Sequence, residues 1–127
     1  MRLLVADDQA AFRAVARDLV AATPGFAVAG EAGSGEEAIE AAQSLRPDLG
    51  LMDVRMPGIG GRAAARVLVD RYPDMVVWLV TAEAPAALSG LLMACGATAL
   101  VDKRDFTPRL LRELWESAGR PSAPTRG

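Results

Sequence analysis

Histidine is absent from the 127 residues, which rules out a histidine general base, a histidine-containing catalytic triad and a His-ligated zinc site. Cysteine occurs once, as Cys95, so no disulfide can close within the chain, which suits a reducing cytoplasm. A strong charge of either sign is also lacking. The net charge of −2 gives no electrostatic drive toward nucleic acid or an anionic membrane, and no basic recognition helix is visible. No signal-peptide pattern precedes the first apolar run. The uncharged stretch 84–101 is eighteen residues long, near the length of a membrane span, but it contains Pro85, Gly90 and Gly96. A helix, a turn and a buried strand fit it better.

What is present is ordinary for one globular domain: 51% hydrophobic and 24% charged residues, on a chain long enough to bury a core. Short apolar runs recur at 3–6, 27–29, 49–52, 76–80 and 99–101, each followed by polar or turn residues. Segments with helical spacing lie between and after them. Phe12, Val15, Ala16, Leu19 and Val20 form one stripe, ended by Thr23-Pro24-Gly25. Ala38, Ile39, Ala42 and Leu45 form a second, Val67 and Leu68 mark a third, and Leu88, Leu91, Leu92 and Cys95 a fourth. A fifth runs through Leu110, Leu111, Leu114 and Trp115, with Thr107-Pro108 as its start signal. Five strands alternating with five helices predict an α/β fold, a parallel sheet covered on both faces.

In such sheets ligands collect beyond the carboxyl ends of the strands. Asp7 and Asp8 follow the first run, Asp53 the third, Thr81 the fourth, and Asp102-Lys103 the fifth. Any one of these residues has an innocent reading as a turn former, a helix cap or a solvated side chain. Three carboxylates gathered at one sheet edge, however, are hard to explain without a cation, because buried like charges repel.

The set ADD, DVRMPGIGG, VTA and VDK, each after its strand, resembles the receiver domain of bacterial two-component response regulators, most closely those attached to LuxR-type DNA-binding domains. The resemblance covers residues 2 to about 118 and implies a flavodoxin-like doubly wound sheet of order 2-1-3-4-5. It implies that Asp53 is the phosphoacceptor, attacking a phosphohistidine on a histidine kinase. It further implies that Asp8 and Asp53 ligate Mg²⁺ directly, Asp7 acts through water, and the backbone carbonyl of Arg55 completes the protein ligands. Lys103 then pairs with the phosphoryl oxygens, and the Thr81 hydroxyl turns to meet them. Without metal the acids should repel, and at least one apparent pKa should rise.

The chain departs from the family pattern at two places. Leu100 stands three positions before the lysine, where most receivers carry the aromatic residue that turns inward with the threonine, and Arg104 stands where many have proline. Arg55 and Glu83 flank the expected mouth of the site, where a salt bridge between them would slow loss of phosphate. Two decoys are set aside. Gly33-Ser34-Gly35-Glu36-Glu37-Ala38 matches a dinucleotide fingerprint, but Ser34 and Glu37 read as a capping box, and two glutamates would repel a pyrophosphate. Asp7-Asp8-Gln9 lacks the D-x-D and following Thr of aspartate-based phosphatases.

The poorly polar surface around 84–101 is expected to meet a second copy or an effector domain. Residues 119–127, Pro/Ser/Gly-rich, read as a flexible tail or the start of a linker after a receiver spanning 1–118. Two function classes result: a phosphorylatable receiver, not an enzyme beyond slow autodephosphorylation, or a pseudo-receiver serving as a constitutive interaction module.

Overall fold

Alternation of side chains across the strands sorts this sequence into two cores. The structure, a computed structural model, describes residues 1–82 and 95–119. Strands β1 (Arg2–Ala6), β2 (Ala27–Ala32), β3 (Leu49–Asp53), β4 (Val76–Thr81) and β5 (Ala99–Asp102) form one parallel sheet of order β2-β1-β3-β4-β5. Leu3, Val5, Leu49, Leu51, Val76, Trp78, Val80, Ala99 and Val101 point to one face. Leu4, Ala6, Met52, Val77 and Leu79 point to the other. Both sets are buried, as expected of a sheet with helices on each side.

The first face is covered by helix α1 (Ala10–Ala21), through Ala16, Leu19 and Val20, and by helix α4 (Pro108–Leu114), through Leu111. The second is covered by α2 (Gly35–Leu45), through Ala38 and Ala42, and by α3 (Gly60–Arg71), through Ala64, Ala65 and Leu68. Small alanines on α2 and α3 let the backbones approach the sheet closely. Val15, read as part of the first apolar stripe, is 55% exposed because it lies at the margin of that stripe.

The expected five strands and their order are all present, and four α-helices occur among the described residues. The helix expected across Leu88, Leu91 and Leu92 lies outside the described residues, as do most of the 84–101 surface and nearly all of the 119–127 tail. The start signals act as read. Thr107 Oγ1 accepts a hydrogen bond from the Leu110 N–H at 3.1 Å, and Pro108 opens α4. Ser34 Oγ accepts from the Glu37 N–H at 3.1 Å. The return half of the capping box is displaced by one residue: the Glu37 carboxylate accepts from Gly33 N–H at 2.8 Å. Trp115–Gly119 continues α4 as one wider π-helical turn.

Sheet order reverses beside β1, since the chain passes from β1 outward to β2 and then back to β3. The connections leaving β1 and β3 therefore diverge to opposite faces, which leaves a crevice at their carboxyl ends. Asp7, Asp8 and Asp53 stand at that crevice.

Candidate acidic site at the carboxyl edge of the sheet

Each side chain of the site is placed by the backbone of the strand that precedes it. Asp7 directly follows β1, and its N–H continues the sheet ladder to the Ala32 carbonyl at 2.9 Å. Its Oδ1 accepts the Gln9 N–H at 2.8 Å, and its own carbonyl accepts from Arg13 Nη1 at 2.6 Å. Arg13 is in turn held by Glu31 on β2, 3.2 Å from Nε, and Glu31 also pairs with Arg17 at 2.6 Å. Asp53 ends β3, and its Oδ1 faces the Arg55 N–H at 3.4 Å. Here α3 starts unusually close: a Cβ on Gly61 would lie 1.8 Å from the Asp53 carbonyl oxygen, so only glycine fits. Thr81 ends β4, paired in register with Asp102 on β5, and is buried. Lys103 opens the 3₁₀ turn Lys103–Asp105 just beyond β5.

These residues converge. One carboxylate oxygen from each of Asp7, Asp8 and Asp53 lies within 4.8 Å of the others. Asp7 is 1% exposed and Asp53 6%, whereas Asp8 opens to solvent. Asp8, Gln9, Asp53, Arg55, Thr81 and Lys103 line a cleft of about 190 Å³. A larger cavity of about 320 Å³ lies at the opposite edge, among Ala42, Arg46, Tyr72 and Met75, and contains none of these groups.

Lys103 is the cation among the acids, but its nearest partner is Asp7, not Asp53. Its Nζ is 2.6 Å from Asp7 Oδ2 and 3.5 Å from Asp53 Oδ2. Gln9 Oε1 lies 3.4 Å away, and the Phe12 ring centroid 4.7 Å away. The contact with Asp7 is an off-axis ion pair, so that buried Oδ2 receives no directed hydrogen bond. One lysine does not neutralise three acids. Burial, and next the charge of Asp7, push the Asp53 carboxyl up to about 6, while Lys103 and the Arg55 N–H pull it back. The expected rise in an apparent pKa therefore falls on Asp53.

An all-oxygen donor set of three acids, two of which share one lysine, fits a hard divalent cation such as Mg²⁺. Asp7, Asp8 and Asp53 are the side chains placed to hold it. Arg55 is exposed at the rim of the same cleft; Glu83, its expected partner, lies outside the described residues. Leu100 is partly buried and packs against the second core.

A model of the response regulator receiver domain matches residues 3–115. The chain belongs to the response regulator receiver family. It is 40% identical over 103 residues to the response regulator GacA of Pseudomonas viridiflava, covering 81% of this chain and 48% of that protein. This receiver thus spans about half the length of the GacA relatives it matches. Its fold superposes on the response regulator domain of Thermotoga maritima CheB with a TM-score of 0.81 at 30% identity, covering 92% of this chain and 95% of that one. It also superposes on a LuxR-family two-component response regulator from Aurantimonas, with a TM-score of 0.82 at 28% identity over 97% and 89% of the two chains. The receiver is therefore a CheY-like, flavodoxin-type sheet related to GacA and to LuxR-family regulators.

Four contributors escaped the sequence reading. In the sequence Gln9 only follows the acid pair, Phe12 belongs to the first helical stripe, Gly61 ends DVRMPGIGG, and Arg104 is a departure from the family pattern. Arg104 folds back on Asp102, its Nε 2.9 Å from Oδ1, and this hydrogen-bonded ion pair holds the Asp102 carboxyl down at about 2. Only the Gly60-Gly61 doublet carried a local signal, since paired glycines mark close backbone approach.

Proposed function

We propose that this receiver accepts a phosphoryl group on Asp53 from a phosphohistidine of a histidine kinase, in a Mg²⁺-dependent reaction. The observation that carries the reading is the convergence of three carboxylates within 4.8 Å, two of them bridged by Lys103, in an open cleft at the sheet's switch point. An Asp53 carboxylate oxygen attacks phosphorus, the new P–O bond forms as the P–N bond breaks, and the donor imidazole leaves. Such transfers depend on in-line placement and on neutralising the phosphoryl oxygens. When bound to Asp7, Asp8, Asp53 and the Arg55 carbonyl, Mg²⁺ supplies charge neutralisation. Lys103 supplies the second positive charge, within reach of Asp53 at 3.5 Å. Thr81, buried at the end of the neighbouring strand, offers a hydroxyl to the phosphoryl group.

Phosphorylation then alters association through the surface around 84–101, with a second copy or an output domain, and the receiver acts in the cytoplasm as a signalling module rather than an enzyme. No helix among the described residues is long and apolar enough to cross a membrane. Leu100 favours a second reading, a pseudo-receiver that binds constitutively, because it lacks the ring that reports the threonine's movement in most receivers.

The test is intact-protein mass after incubation with Mg²⁺ and acetyl phosphate, beside Asp53→Asn. One added phosphoryl group in the wild type alone supports the reading. No gain from either acetyl phosphate or a phosphorylated kinase favours the pseudo-receiver.

A further inference from the structure

We propose that Phe12 is a positioning residue for Lys103: its ring face holds the ammonium beside Asp53 while the carboxylates around it change partners. The proposal rests on the phosphoacceptor reading and concerns how that site keeps its lysine in place. Among the described residues Lys103 Nζ meets Asp7, Asp53, Gln9 and Phe12, of which the two acids are the strong partners. Both are also the groups that a divalent cation or a phosphoryl group would engage. Once they are engaged, the attachments of Lys103 that remain unchanged are Gln9 Oε1 at 3.4 Å and the Phe12 ring at 4.7 Å. A ring face attracts a cation without fixing the direction of its N–H bonds, so the ammonium can pivot between acceptors while it stays over the ring.

The ring itself is well anchored. Phe12 stacks on Phe106, with centroids 6.5 Å apart and planes at 30°, and Phe106 is buried in the core beneath α1 and α4. Phe106 lies three residues beyond Lys103 in the same connection. Phe12 thus spans from α1 to meet both the ammonium and this anchor. A purely structural Phe12 would serve that core equally well as leucine. A positioning Phe12 would not, because leucine has no face for the cation.

Two readouts separate these roles. In the metal-free protein, ring current from Phe12 is expected to shift the Lys103 ε-methylene protons upfield in heteronuclear NMR. Phe12→Leu should abolish that shift and Phe12→Tyr should keep it. In phosphorylation by acetyl phosphate with saturating Mg²⁺, Phe12→Leu should be roughly three- to tenfold slower, with Phe12→Tyr close to wild type. In a Lys103→Met background the further Phe12→Leu change should have no effect. A Lys103 shift that survives Phe12→Leu overturns the proposal, as does equal slowing by Phe12→Leu with and without Lys103. If the wild type gains no phosphoryl group from acetyl phosphate or from a phosphorylated kinase, the phosphoacceptor reading fails, and the NMR shift alone decides whether Phe12 holds the ammonium.

Discussion

Replacing Asp53 by asparagine should stabilise the metal-free protein at neutral pH, and the gain should vanish in acid. The Asp53 carboxyl titrates near 6 in the fold against 3.8 for an unperturbed group. A raised folded-state pKa means that the native protein holds its proton more tightly than the unfolded chain does. Stability from this group is therefore fully present below about 3.8 and is lost as pH rises through about 6. The difference corresponds to about 3 kcal/mol at most. Water in the open cleft screens the charge, and asparagine forfeits the 3.5 Å attraction to Lys103, so a net gain of about 1–2 kcal/mol is expected at pH 7.5. For a domain of this size that is a rise in Tm of roughly 3–10 °C. The assay is thermal or urea unfolding of both proteins in EDTA at pH 4, 5.5, 6.5 and 7.5. The advantage of Asp53→Asn should grow across the series. Adding Mg²⁺ should stabilise the wild type preferentially and narrow the gap at pH 7.5. A gap independent of pH, or an asparagine variant less stable than wild type at pH 7.5, would refute the reasoning.

Three further outcomes follow from the same geometry. Lys103→Met removes the cation shared by Asp7 and Asp53 and leaves Asp7 buried among acids, so unfolding in EDTA should show a loss of about 2–4 kcal/mol, partly recovered with Mg²⁺. Gly61→Ala places a methyl 1.8 Å from the Asp53 carbonyl oxygen, where backbone rather than a flexible side chain must yield; a loss of about 3 kcal/mol and slower phosphoryl gain are expected, and unchanged urea midpoints would contradict the close approach. Arg104→Ala removes the partner that holds Asp102 near 2, so an NMR titration should find that carboxyl returned toward the ordinary range.

Much of this receiver was written locally in its residues. Alternating short apolar runs and helical stripes dictated a parallel sheet covered on both faces, because a strand side chain can reach a core only by facing one of the two sides. Punctuation such as Thr107-Pro108 and Ser34…Glu37 is also local, since caps satisfy backbone groups within one turn. The candidate site was legible for the same reason. Asp53 and Thr81 end strands, Asp7, Asp8 and Lys103 follow strand ends, and parallel strands bring those ends to one edge.

Tertiary structure alone decided how those groups share their charges. Lys103 rests on Asp7, ninety-six positions away in the chain, and not chiefly on Asp53. Phe12, which spacing places in a core stripe, turns one face to that ammonium. Gly61 owes its necessity to the distance between α3 and the end of β3. Periodicity encodes which side of an element is buried, but it carries no information on the ångström-scale offset between elements remote in sequence. Coulomb energies and steric limits vary over that scale, so the preference of the lysine, the raised pKa of Asp53 and the need for glycine emerge only when the helices have docked on the sheet.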